Sequence, residues 1–108
     1  MAAQIDVEQA AAADPSPQSS GWIDAHAHIW TRDIEKYPLA ATATLGDLKP
    51  ASFTAEELLQ TAGSEGVTRM VLIQHQPFYG YDNSYLVDVA EKYPGTFRVV
   101  GEIDDFNP

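Results

Sequence analysis

The chain has 108 residues and a formal net charge of −10, from sixteen acidic and six basic side chains. Because this charge repels nucleic-acid phosphates and anionic lipid surfaces, neither a nucleic acid nor a membrane is an expected partner. The length suffices for one small domain, and a hydrophobic content of 44 % favours a packed core over disorder. The absence of cysteine excludes disulfides and thiolate metal sites, which leaves histidine and carboxylate as transition-metal ligands.

Residues 1–20 are typical of a flexible extension, since they are rich in Ala, Gln, Ser and Pro. They contain acidic residues but no Lys or Arg, unlike a secretory signal or an organellar transit peptide. A short amphipathic helix over Ile5 to Ala13 is the alternative. With no apolar run of membrane-spanning length, we expect a cytoplasmic protein.

The segment "GWIDAHAHIW" (21–30) predicts a β-strand that carries a metal site. Its polar and apolar residues alternate strictly, so His26 and His28 are predicted on one face, about 6.6–6.8 Å apart along the strand. Two imidazoles leaning inward from that spacing can share one ion. Asp24 is predicted on the same face, where it either orients an imidazole or is held by backbone N–H groups.

The rest of the chain predicts alternating helices and strands. After a long irregular stretch (31–52), Thr54 and Glu57 form a capping-box pattern at the start of a helix. A buried strand is predicted over 68–74, and a second helix begins at Asp82 or Asn83. A third strand is predicted over 96–104. This order is typical of an α/β fold with a parallel sheet.

The third predicted strand has no following helix, so it would present an unpaired edge. We therefore expect an N-terminal part of something larger or a truncated product, with self-association through the exposed edge as one outcome.

Polar residues just past the second strand are candidates for binding a small-molecule substrate, because functional residues concentrate on such loops. These candidates are Gln74, His75, Tyr79 and Asn83. The alternatives are a solvated loop histidine at His75 and helix capping at Asn83.

Three segments together resemble a known family: "IDAHAHIW", "FTAEELLQTAGSEGVTRMVLIQ" and "FYGYDNSYLVDVAEKYPGTFRVVGEID". They are similar to the first three strands of the amidohydrolase-related metal-dependent hydrolases, in the lactonase-like branch. The resemblance implies the N-terminal part, about three βα units, of a (β/α)₈ TIM barrel with its site at the carboxyl ends of the strands. Residues 21–108 would then form an incomplete barrel domain.

The resemblance also implies that His26 and His28 are the first two ligands of a divalent metal, with zinc the first expectation and manganese the second. The remaining ligands and the general base of the family come from later strands. No catalytic residue is therefore assigned within this chain, and its own metal affinity is expected to be weak. A metal-free site is the alternative, since some lactonase-like members hold no metal tightly.

The implied activity is hydrolysis of a lactone or a related cyclic ester or amide. Decarboxylation of an aromatic acid is the alternative within enzymes. A catalytically inactive truncated protein, or a half-barrel completed by a partner chain, is the alternative from another class.

Overall fold

A computed structural model describes residues 21–107, and the elements of this part alternate between strand and helix. In chain order they are β1 (Trp22–Ala27), a 3₁₀ turn (Leu45–Asp47), α1 (Ala55–Gly63), β2 (Val67–Ile73), α2 (Gln76–Tyr79), α3 (Ser84–Lys92) and β3 (Phe97–Val100). The predicted α/β class is confirmed. The flexible extension and the alternative helix predicted within 1–20 lie outside the described residues.

The predicted capping box at the start of α1 is confirmed. The Thr54 hydroxyl accepts a hydrogen bond from the Glu57 N–H at 3.2 Å, and Glu57 Oε1 accepts one from the Thr54 N–H at 2.8 Å. Two N–H groups without helical partners are satisfied in this way. The Thr54 N–H, followed by the hydroxyl of Ser52, holds the pKa of the Glu57 carboxyl below its ordinary value.

The sheet is parallel throughout and has the order β1-β2-β3, so β2 is its central strand. On one face Met70 pairs with Phe97 and Leu72 pairs with Val99. Met70, Leu72 and Phe97 belong to a single core cluster, against which Val99 packs. The helices contribute Ala55, Leu58, Ala62, Leu86 and Val89 to this cluster. The helical crossovers therefore cover one face of the sheet, as parallel strands require.

The opposite face of the sheet is open. Ile23 on β1 and Val100 on β3 are both 52 % exposed. Self-association through the sheet edge stays a prediction. Within 21–107, none of the helices combines the length and apolar character needed to cross a bilayer.

The third strand is shorter than the sequence predicts, because it ends at Val100 and not near Asp104. Its neighbour β2 ends at Ile73, which pairs with Val100, so the backbone beyond has no strand to pair with. The side chain of Asn83 pairs with this backbone in place of a strand. Its Nδ2 donates to the Glu102 carbonyl and its Oδ1 accepts from the Glu102 N–H, each at 3.0 Å.

Two tyrosines link the long loop and α3 to the core. The Tyr37 hydroxyl donates to Asp88 Oδ2 at 2.6 Å. Burial, and then this bond to a carboxylate, raise the pKa of Tyr37 to about 12. Burial raises the pKa of Tyr85 to about 12. The folded state therefore favours both neutral hydroxyls.

We expect these two tyrosines to ionise last in an alkaline titration followed by tyrosinate absorbance. Their folded pKa lies above the unfolded value of about 10, so their stabilising contribution is complete below about pH 10 and is lost as the pH rises toward about 12. The variant Tyr37→Phe should remove one late step, and Asp88→Asn should move that step to lower pH. A single step for all tyrosines near pH 10, with circular dichroism unchanged, would contradict this expectation.

Candidate functional site

The two histidines predicted to bind a metal lie together at the carboxyl end of β1. Their Nε2 atoms are 3.3 Å apart, and their rings meet edge to face with centroids 4.9 Å apart. His26 is exposed and His28 is half-buried. The predicted juxtaposition of the two imidazoles is therefore present in the fold.

A main-chain contact with β2 orients the His28 ring. Its Nδ1 lies 2.8 Å from the carbonyl oxygen of Ile73, the last residue of β2. A carbonyl oxygen only accepts, so Nδ1 carries the hydrogen and donates it. In the neutral ring the lone pair is then on Nε2, which faces His26.

His75 adds a third imidazole, beside that of His28. Its ring centroid lies 4.5 Å from that of His28 and 4.5 Å from that of Phe78, and Trp30 lies beyond at 6.5 Å. Burial, and then the charge of His28, lower the pKa of His75. All three histidines of the chain thus lie at one end of the sheet. His75, Phe78 and Trp30 form an aromatic wall there.

A register shift in β1 bears on the position of Asp24. Asp24 pairs with Met70 and Ala27 pairs with Leu72, so β1 advances three residues while β2 advances two. Such an extra residue interrupts the alternation of side chains between the two faces of a strand. Alternation alone therefore does not place Asp24 on the same face as the two imidazoles. Its Oδ1 accepts a hydrogen bond from the backbone N–H of His26 at 3.0 Å, which is the second role that the sequence left open.

Gln74 is only 5 % exposed and faces inward. Its Nε2 donates to the carbonyl oxygens of Gly80 and Asp82, both at 2.9 Å. The side chain therefore ties the loop between α2 and α3 to the end of β2.

Tyr79 and Asn83 are also engaged within the chain. The buried Tyr79 hydroxyl accepts from the Thr31 N–H at 3.0 Å and so anchors the start of the long loop. Asn83 is the residue before α3, but its side chain binds the backbone of Glu102 and makes no capping bond. A substrate role for Gln74, His75, Tyr79 or Asn83 stays a prediction.

The geometry of the histidine pair fits two ligands of one tetrahedral ion. For bonds of about 2.0–2.1 Å, two tetrahedral ligand atoms are about 3.3–3.4 Å apart, which is the separation of the two Nε2 atoms. Over the described range 21–107, no set of three or more His, Asp or Glu side chains is arranged to hold a metal. Within this range the site therefore consists of the two imidazoles alone, and metal binding there stays a prediction.

No family model matches the chain, and no curated protein matches it. The fold is similar to a crystal structure of a probable 2-pyrone-4,6-dicarboxylic acid hydrolase from Acinetobacter baumannii with citric acid bound, at a TM-score of 0.62 and 22 % identity. The match covers 76 % of this chain and 28 % of that one, so the chain spans little more than a quarter of that protein. That protein is a TIM-barrel hydrolase, of which the match covers only a part. The likeness shows a shared fold.

Two features of the site were missed by sequence reasoning. The Ile73 carbonyl is a main-chain group, present at every position, so it carries no signal of its own. The short helix α2 had one usable signal, since Pro77 lies in its first turn, where proline is favoured.

Proposed function

We propose that His26 and His28 supply two ligands to the divalent metal of a hydrolase that opens a lactone or a related cyclic ester or amide. The observation that carries this proposal is the 3.3 Å separation of the two Nε2 atoms, where the bond from the His28 Nδ1–H to the Ile73 carbonyl leaves the His28 Nε2 as a lone-pair acceptor. The similarity of fold to a lactone-type hydrolase supports it.

In this proposal the chain's own residues hold the metal and orient the imidazole rings that bind it. Ile73 fixes the tautomer and rotation of the His28 ring, as hydrogen bonds to the second nitrogen of metal-binding histidines generally do. Zinc is the first candidate ion and manganese the second. When bound, such an ion polarises a carbonyl and lowers the pKa of bound water toward about 7.

The aromatic wall supports a planar cyclic substrate. The His75 ring contacts that of His28, the Phe78 ring contacts that of His75, and the Trp30 ring contacts that of Phe78. Such surfaces stack well on flat unsaturated rings. A cyclic aromatic acid fits the same wall, so decarboxylation is the rival reaction, and release of carbon dioxide instead of ring opening would distinguish it.

The proposal is tested by calorimetric titration of the purified chain with Zn²⁺ and, separately, Mn²⁺. We expect one saturable Zn²⁺ site. The variants His26→Ala and His28→Ala should each weaken it at least about tenfold, since loss of even an outer-shell partner costs 10- to 100-fold.

His75→Ala is the matched control, because it removes an imidazole that stacks on His28 without adding to the Nε2 pair. It should retain more of the affinity than either ligand variant. Equal Zn²⁺ binding by the wild type and His26→Ala would overturn the proposal, as would the absence of saturable binding in the wild type.

A further inference from the structure

A second polar site lies away from the histidines, on the open face of the sheet. A cavity of about 260 Å³ is lined there by Ile23, Arg69, Val71, Thr96 and Arg98, among others. Arg69 is the third residue of β2 and Arg98 the second of β3, so both precede the carboxyl ends where the histidine site is found. The two sites share no residue.

The strand register places both arginines on the same face. Arg98 pairs with Val71, and Arg69 precedes Val71 by two residues on the same strand. Alternation puts these three residues opposite Met70 and Leu72, which face the helices. Two arginines on neighbouring strands therefore line the same cavity.

Arg69 carries a buried donor without a partner. Its Nε is inaccessible to solvent and, within the described residues, has no hydrogen-bond acceptor. A buried unpaired polar group is costly, and a charged one more so. Arg98 donates from Nη1 to the Phe97 carbonyl at 3.1 Å, which leaves its other donors for a ligand.

Among residues 21–107, Arg69 and Arg98 also lack carboxylate partners, although acids outnumber bases in this chain. The ion pair present among residues 21–107 joins Lys92 to Glu56, and neither arginine takes part in one. The chain has three arginines, at 32, 69 and 98, so two of the three line this cavity. That concentration of positive charge in an acidic protein points to an anionic ligand.

We infer that Arg69 and Arg98 form a binding site for a small oxyanion, a phosphate or carboxylate group, on the open face of the sheet. The planar guanidinium fork matches the paired oxygens of such groups. A volume of about 260 Å³ is below the roughly 300–1,000 Å³ of pockets for drug-sized ligands, so the ligand is a small anion or the anionic end of a larger molecule.

The test is titration of the ¹⁵N-labelled protein with inorganic phosphate and, separately, succinate, at an ionic strength held constant with sodium chloride. The Arg69 Nε–H resonance is followed by NMR. We expect a saturable shift with at least one of the two probes, and the tighter probe identifies the source of the anion as a phosphoryl or a carboxylate group. The variants Arg69→Gln and Arg98→Gln should each bind at least about tenfold more weakly.

Arg32→Gln is the matched control, because it removes the same charge from an exposed position outside the cavity. It should bind as the wild type does. Since Arg98 is exposed, Arg98→Gln keeps the test valid if Arg69→Gln fails to fold, as judged by circular dichroism. Equal weakening by all three variants, or no saturable shift with either probe, would overturn the inference. So would an Arg69-dependent dimer in sedimentation without binding of either probe, which would assign the anion to a second protein chain.

Discussion

Leu72→Ala is expected to lower the free energy of unfolding by about 2–5 kcal/mol, the usual range for truncating a buried leucine. Leu72 is fully buried on the central strand, between Ala27 of β1 and Val99 of β3. Its side chain belongs to the core cluster beneath the helices, where both neighbouring strands restrict collapse into the space left behind. Urea denaturation followed by circular dichroism measures the loss.

Val100→Ala is the control for this prediction, since it removes apolar volume from the same sheet at a position that is half-exposed. Its cost should stay within about 1 kcal/mol. Small domains have only about 5–15 kcal/mol of stability in total, so Leu72→Ala is expected to shift the urea midpoint strongly. Equal losses in the two variants would mean that the face beneath the helices is not the core.

The parts of the fold that the sequence predicts well depend on local chemistry. Thr54 and Glu57 satisfy each other's backbone within four residues, so their spacing alone identifies the start of α1. The apolar run over 70–73 predicts the central strand β2, although only its face toward the helices is buried. The pairing of His26 with His28 follows from a spacing of two.

The parts that the sequence misses depend on neighbouring strands. The register shift beside Asp24 arises only when β1 lies against β2, and the early end of β3 follows from where β2 stops. Gln74 is a different case. It continues the alternation of Met70 and Leu72, so strand periodicity favours the inward side chain that the structure shows.

That inward placement gives the second large prediction: Gln74→Leu is expected to cost about 2 kcal/mol or more of unfolding free energy. Leucine is of similar size but leaves the carbonyl oxygens of Gly80 and Asp82 without their donor. Each net hydrogen bond is worth about 0.5–1.5 kcal/mol, and the Gln74 side chain makes two of them. The added apolar burial offsets part of this loss.

The same change should loosen the loop over 80–83, which native-state hydrogen exchange would detect as faster exchange at the Asp82 N–H, a donor to the Tyr79 carbonyl. Gln76→Leu is the matched control, because Gln76 is exposed two residues farther along and should leave both measurements near the wild type. A substrate-binding role makes the opposite prediction for Gln74→Leu, namely unchanged stability and exchange with weaker binding of a cyclic ester. Stability and hydrogen exchange are measured without substrate. They therefore distinguish a structural role of Gln74, which ties the loop to the end of β2, from a role in binding substrate.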